Sequence, residues 1–272
     1  MATRYFIGLS AGSSLLGVDA ALVRVDGVGS GISLRLDHFV HVPFGAELHE
    51  LLERVFHTPS PETRHVAVIH RVLGETLALA VRQLVSDGRR PMRDVLAIGY
   101  PGMALWHDGG GRFPSALALG MTSILAERTG ITVVSDFCTR DLALGGQGHP
   151  ATAIVDALLF HHRAGHRVVI HLGCLASVLS LPAQPEPAWR NVIGFQAAPC
   201  TMLLDGLMRL LTQGRETYDA GGKNAVQGRC LEPLMERWMQ NHFFLQRPPK
   251  CVPCWEFGAD FLARAIAQAK QL

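Results

Sequence analysis

The chain has little charge. Asp, Glu, Lys and Arg make up 18% of its 272 residues, 25 basic against 23 acidic, for a formal net charge of +2. No dense run of Lys or Arg occurs, so the chain has no electrostatic footprint for nucleic acid or an anionic membrane surface. Partners are expected among small molecules and proteins. No apolar stretch nears the ~20 uninterrupted residues of a membrane span, and no basic segment followed by a cleavable apolar one opens the chain; the reading is cytoplasmic. Cysteine is sparse, and six (138, 174, 200, 230, 251, 254) in this length do not make a disulfide scaffold. Metal-ligand spacings are missing too: there is no HExxH and only one CxxC, Cys251-Val-Pro-Cys254, with His242 as the one further ligand candidate near it. Packed thiols are therefore expected there, and no metal.

What is present is apolar residue in quantity, 48% of the chain, enough for one large domain or two small ones. Residues 5–11 and 18–26 read as a hairpin, and 32–42 alternates as a third strand. A helix is expected at 46–57, and Thr63–Asp87 carries apolar residues at helical spacing before a short buried strand at 95–99. The alternation continues with helix at 115–130, strand at 131–135, a polar loop from Asp136, helix at 151–160 and strand at 167–172. A turn at 173–177, a strand at 178–181, and helices at 199–213, 229–240 and 257–269 complete the pattern. Helix and strand in alternation predict a mixed α/β layer structure.

The stretch Ile7-Gly-Leu-Ser-Ala-Gly-Ser-Ser-Leu-Leu-Gly-Val-Asp19 raises a chemical question. Strand, tight turn, returning strand is a geometry whose free backbone N–H groups can hold phosphate. Leu15 and Leu16 sit where phosphate and magnesium would want polar neighbours.

Several stretches together resemble the anhydro-N-acetylmuramic acid kinases, sugar kinases of the actin/Hsp70 fold group that recycle a cell-wall sugar. The longest is Gly130-Ile-Thr-Val-Val-Ser-Asp-Phe-Cys-Thr-Arg-Asp-Leu-Ala-Leu-Gly-Gly-Gln-Gly-His-Pro150, similar to a family DFRxxDxAxGGQGAP pattern. Shorter matches are 12–19 against GTSxDGVD, 98–107 against IGxHGQTxxH, 171–177 against NIGGIAN and 195–201 against YDTGPGN. The resemblance implies an actin-like (ribonuclease H-like) ATPase fold, with mixed sheets flanked by helices. It also implies a reaction that opens the 1,6-anhydro ring while ATP, with magnesium, phosphorylates the sugar. Such chemistry needs a phosphate cradle, a carboxylate for the metal, a base for water and polar groups that grip the sugar.

Set against that pattern, the chain departs at each part. Gly12, Ser13, Ser14, Gly17 and Asp19 match the phosphate turn, but its acidic position is Leu16. The family's catalytic Asp corresponds to Gln196, whose carboxamide cannot take a proton from water, and loss of a positioned base costs on the order of 10²–10⁴ in rate. The sugar-side His and Gln are Pro101 and Met103, and in the Gly-Gly-Ile-Ala-Asn turn the second Gly is Cys174 and the Asn is Ser177. Family members continue into an adenosine-binding turn beyond the residues matched here, so the expectation is a first lobe at 1–194 and an incomplete second lobe at 195–272.

Three functions stay open on this reading. One is a catalytically degenerate homologue, a pseudokinase, with a binding, regulatory or subunit role, no ATP or magnesium, and a homo- or hetero-oligomeric assembly. A second is a working or split anhydro-sugar kinase completed by another chain. The third is a repurposed enzyme using Cys200, Cys174 or His171 as new reactive groups, with Cys200 needing a base nearby. A residual cleft for a small molecule is expected from Asp136, Arg140, Asp141, Gln147 and His107; the alternative is that Arg140 pairs with a neighbouring carboxylate and the Gly-Gly-Gln-Gly turn only shapes the fold.

Overall fold

A computed structural model describes residues 3–12, 15–56, 58, 60–184, 191–253 and 256–271. The chain divides into two compact units, residues 1–106 with 116–143, and residues 107–115 with 144–272. The expected lobe boundary after residue 194 is a different division, and that residue lies within a strand of the second unit.

The first unit is built on β1 (Arg4–Ala11), β2 (Gly17–Asp26) and β3 (Ser33–Pro43), an antiparallel meander, to which β4 (Val95–Tyr100) and β7 (Val133–Ser135) add in parallel. The order β3-β2-β1-β4-β7 is a mixed sheet, as the fold class requires. Helices α1 (Ala46–Phe56), α2 (Thr63–Asp87), α3 (Thr122–Thr129) and α4 (Phe137–Ala143) accompany it. Alternation in β1 turns Ile7, Leu9 and Ala11 inward. The 3.6-residue period of α2 brings Ile69, Leu73, Leu77, Ala80, Val81 and Leu84 to the same core. Gly74 lets α3 approach, because a Cβ there would stand 2.7 Å from the Met121 carbonyl oxygen.

The expected helix at 115–130 is corrected. Residues 115–119 form β6 (Ser115–Leu119), paired with β5 (Met103–Asp108), and the helix begins only at Thr122. Ala and Leu favour helix intrinsically, but here tertiary context wins: the Tyr100 hydroxyl donates to the Leu119 carbonyl at 2.9 Å, and Gly120 at φ 107 breaks the chain. The polar loop expected after Asp136 is helix α4 instead.

The second unit contains α5 (Ala153–Phe160) and a three-stranded antiparallel sheet of β8 (Arg167–Leu172), β9 (Leu175–Leu181) and β10 (Ile193–Pro199), in the order β10-β9-β8. Helices α6 (Thr201–Leu211), α7 (Glu232–Met239), α8 (His242–Leu245) and α9 (Ala259–Ala269) follow. Strand β10 was not expected, and β9 starts three residues before the predicted 178, inside the stretch read as a turn. Leu179 and Leu181 pack with Ala157 of α5, which fixes the sheet's inner face. Phe243, Val252 and Phe257 form a separate aromatic cluster with Phe244 and Phe261 around it.

Candidate functional site

The phosphate-like turn of the first unit is held by packing and strand geometry. Ser13 and Ser14 lie outside the described residues. The Leu15 N–H donates to the Gly12 carbonyl at 3.2 Å, and Leu15 takes a left-handed φ of 57 with its side chain buried at 3% exposure. Leu16 is 45% exposed, and its carbonyl accepts from the Phe44 N–H at 3.1 Å. Gly17 has a packing reason: a Cβ would meet the Val42 carbonyl oxygen and stand 2.8 Å from Pro43 Cα on β3. Asp19 faces His41 across the β2–β3 ladder and accepts from His41 Nδ1 at 2.7 Å.

Asp136 stands at the carboxyl end of β7, exposed, with φ 62, a backbone state uncommon outside glycine. Its carbonyl accepts weakly from Thr139 Oγ1 at 3.4 Å in the first turn of α4. Arg140 and Asp141 follow on that helix, both exposed. Among the described residues no ion pair joins Arg140 to a carboxylate. Burial first, then the charges of Asp136 and Asp141, pushes the Cys138 thiol up, which keeps it protonated. These residues belong to the first unit, whereas His107 and Gln147 belong to the second.

In the second unit His107 is 6% exposed, and its Nε2 donates to the Gln147 carbonyl at 2.8 Å. The His149 ring lies edge-on to it at 4.4 Å between centroids. Burial lowers the His107 pKa despite the carbonyl and the nearby Asp108. His149 is pushed down to about 4, by burial and then by His107. Gln147 Nε2 donates to the Pro249 carbonyl at 3.2 Å, while its buried Oε1 has no partner among the described residues.

Gln196, the position of the expected base, is on β10 at 7% exposure. Its Oε1 accepts from the Val252 N–H at 2.8 Å and the Cys251 thiol at 2.9 Å. Its backbone N–H donates to the Lys250 carbonyl at 3.0 Å. The carboxamide therefore clips segment 250–252 to the sheet. It also occupies Cys251 as a donor; Cys254 lies outside the described residues, and among those described no cluster of His, Cys, Asp or Glu could hold a metal. Cys200 caps α6 with its N–H on the Cys174 carbonyl at 2.9 Å, and no hydrogen bond among the described residues joins its thiol to a base.

Two arrangements went unread in the sequence. Lys250 is buried at 7% exposure, donating to the Phe243 and Phe244 carbonyls at 2.8 and 3.3 Å, with its ammonium 4.4 Å over the Phe243 ring. Burial lowers its pKa. Asp156 is buried at 5% in α5, and its Oδ2 accepts from His171 Nε2 at 2.9 Å. A single carboxylate within Ala153-Ile-Val-Asp-Ala-Leu-Leu-Phe160 was the available signal, since a lone buried acid needs a partner.

The family model of anhydro-N-acetylmuramic acid kinase matches residues 4–272. The chain belongs to that family. An anhydro-N-acetylmuramic acid kinase of Bacillus cereus (strain B4264) is 30% identical over 270 residues, covering 98% of this chain and 68% of the relative. One from Bacillus thuringiensis subsp. konkukian (strain 97-27) is 29% identical over 265 residues, with 96% and 68% covered. Among solved structures, component A of the Acidaminococcus fermentans (R)-2-hydroxyglutaryl-CoA dehydratase aligns at TM-score 0.41 and 11% identity, over 98% of this chain and 69% of that one. The ROK hexokinase of Thermus thermophilus aligns at TM-score 0.35 and 14% identity, over 99% and 88%. Family membership makes this an anhydro-sugar-kinase-type chain with the α/β, actin-like architecture expected of it.

Proposed function

We propose that this member of the anhydro-N-acetylmuramic acid kinase family does not transfer phosphate, and that it acts through binding or assembly. The observation that carries the proposal is Gln196. Where the resemblance implies a water-activating aspartate, a buried carboxamide has its only basic-looking atom, Oε1, committed to the Val252 N–H and the Cys251 thiol. An amide oxygen holding two donors cannot accept a proton near neutral pH. Leu16, at the acidic position of the phosphate turn, adds a side chain that can neither order magnesium-bound water nor accept a hydrogen bond.

Assembly is the second part of the reading. On the face of the β8–β9–β10 sheet turned away from α5, Val168, Ile170, Leu172 and Ile193 are 58%, 60%, 72% and 50% exposed. An exposed apolar row of this kind along β8 supports a homo- or hetero-oligomer. The exposed carboxylates and guanidinium of Asp136, Asp141 and Arg140 suit a small polar ligand. No helix among the described residues is long and apolar enough to cross a membrane, and we keep the cytoplasm as the proposed location.

The deciding experiment incubates the purified chain with ATP, magnesium and 1,6-anhydro-N-acetylmuramic acid and follows phosphorus NMR. The expected spectrum shows no sugar phosphate. Magnesium-dependent turnover by this chain alone overturns the proposal.

A further inference from the structure

The ladder of the second sheet sets three replaced residues in one row. His171 on β8 is directly opposite Ser177 on β9, and Ser177 is directly opposite Gln196 on β10. Residues opposite one another in antiparallel strands share a face, with Cβ atoms about 4.5–5.5 Å apart. That face also carries Leu179 and Leu181, which pack on α5, so the row lies on the side from which α5 delivers Asp156. The row across the sheet is thus His171, Ser177, Gln196, with Asp156 reaching His171 from α5.

Each member is fixed for a different task. Asp156 is buried, and its carboxylate can only accept, so the 2.9 Å contact assigns the ring proton to His171 Nε2. Nδ1, the other ring nitrogen, is engaged by no hydrogen bond among the described residues, on a side chain that is 44% exposed. Ser177 is half-buried, and no hydrogen bond among the described residues uses its hydroxyl. Gln196 has its amide orientation set by the two donors on Oε1, which leaves Nε2 as a fixed donor without a partner among the described residues. A base held by a buried acid, a hydroxyl beside the base and a preset amide donor beside the hydroxyl are the parts needed for acyl transfer.

We propose that Ser177 is a nucleophile toward carboxylic esters and similarly activated acyl groups, with His171 as its base, Asp156 orienting His171, and Gln196 donating to the oxyanion. Ser177 Oγ bonds to the acyl carbon as its proton passes to His171 Nδ1. The carbonyl electron pair moves to oxygen, which accepts from Gln196 Nε2. When that pair re-forms the carbonyl, the bond to the leaving alkoxide breaks and the alkoxide takes the proton from Nδ1. Water, deprotonated by the same nitrogen, then attacks the acyl-Ser177 ester; the proton returns to Ser177 Oγ as the carboxylic acid leaves. No oxidant, metal or nucleotide enters the balance.

The test treats the full chain with a fluorophosphonate probe, maps the adduct by mass spectrometry, and measures p-nitrophenyl acetate hydrolysis without nucleotide, so its result is independent of the phosphoryl-transfer reading. The expected result is one adduct per chain, on Ser177, with hydrolysis lowered ~100-fold or more in both Ser177→Ala and Asp156→Asn. Asp156 is buried, so circular dichroism of both variants accompanies the assay, and Ser177→Ala decides if Asp156→Asn does not fold. An unmodified Ser177 after complete probe exposure, or a folded Ser177→Ala chain that hydrolyses the ester at the parent rate, overturns the proposal.

Discussion

The turn between β1 and β2 and the row across β8, β9 and β10 are two regions that the family resemblance reads in opposite ways. In the turn, Gly17 and Asp19 keep the family's letters, yet Gly17 is required by the backbone of β3 and Asp19 is taken up by His41. In the row, His171, Ser177 and Gln196 have lost the family's letters, yet His171 is bonded to a buried carboxylate, the Ser177 hydroxyl has no hydrogen bond among the described residues, and the Gln196 amide is held by the Val252 N–H and the Cys251 thiol. A kept residue can persist because the fold needs it, and a changed one can bring new chemistry. Matching letters therefore describe the scaffold better than they describe the reaction.

The largest expected effect tests the structural half of that contrast. Gly17→Ala places a methyl group against the Val42 carbonyl oxygen and 2.8 Å from Pro43 Cα, both backbone atoms of β3 that cannot rotate away. The β2–β3 pairing has to spread, at a cost of about 3 kcal/mol in stability, read as a lower urea midpoint. A midpoint equal to the parent's would mean that Gly17 is not held by packing, and the phosphate-turn reading of that glycine would regain its force.

Much of the first unit was legible because its signals are local. Period-2 alternation in β1 and period-3.6 spacing in α2 follow from how each element buries one face, and both were read to within a residue or two. The hairpin of β5 and β6 was not, because Ser115-Ala-Leu-Ala-Leu119 favours helix locally and is a strand only through its partner. The candidate row was hidden for a similar reason. Asp156, His171, Ser177 and Gln196 are spread along the chain, and only the register of β8 on β9 and β9 on β10 brings them into line. His107 shows the converse: its match to the family pattern was visible, but its burial and its bond to the Gln147 carbonyl were not.

The buried His107–His149 corner gives the second prediction, of intermediate size. His149 has its folded pKa pushed from the ordinary 6.5 to about 4, so between those values the unfolded chain binds the extra proton. Stability is full above about 6.5 and falls as pH drops toward 4, and the lowered pKa of His107 acts in the same direction. From pH 7 to pH 5 the loss attributable to His149 is about 2 kcal/mol, measurable by urea unfolding at both values. His149→Asn should flatten that slope. An unchanged slope would show that His149 is not the group responsible.

The smallest expected effect is the most informative about the turn. Leu16→Asp restores an acidic side chain at the position where the family resemblance implies one, and Leu16 is 45% exposed, so stability should move by no more than about 0.5 kcal/mol. Isothermal titration with magnesium and ATP is expected to show no heat of binding in the variant, as in the parent. Leu15 beside it packs into the core with a left-handed backbone, and Gly17 remains committed to β3, so a carboxylate alone does not reshape the loop around a phosphate. ATP binding by the variant at millimolar affinity or better would mean that the loop retains a phosphate cradle and that one side chain had silenced it. The loss in this region would then be one of charge, with the backbone geometry of the family intact.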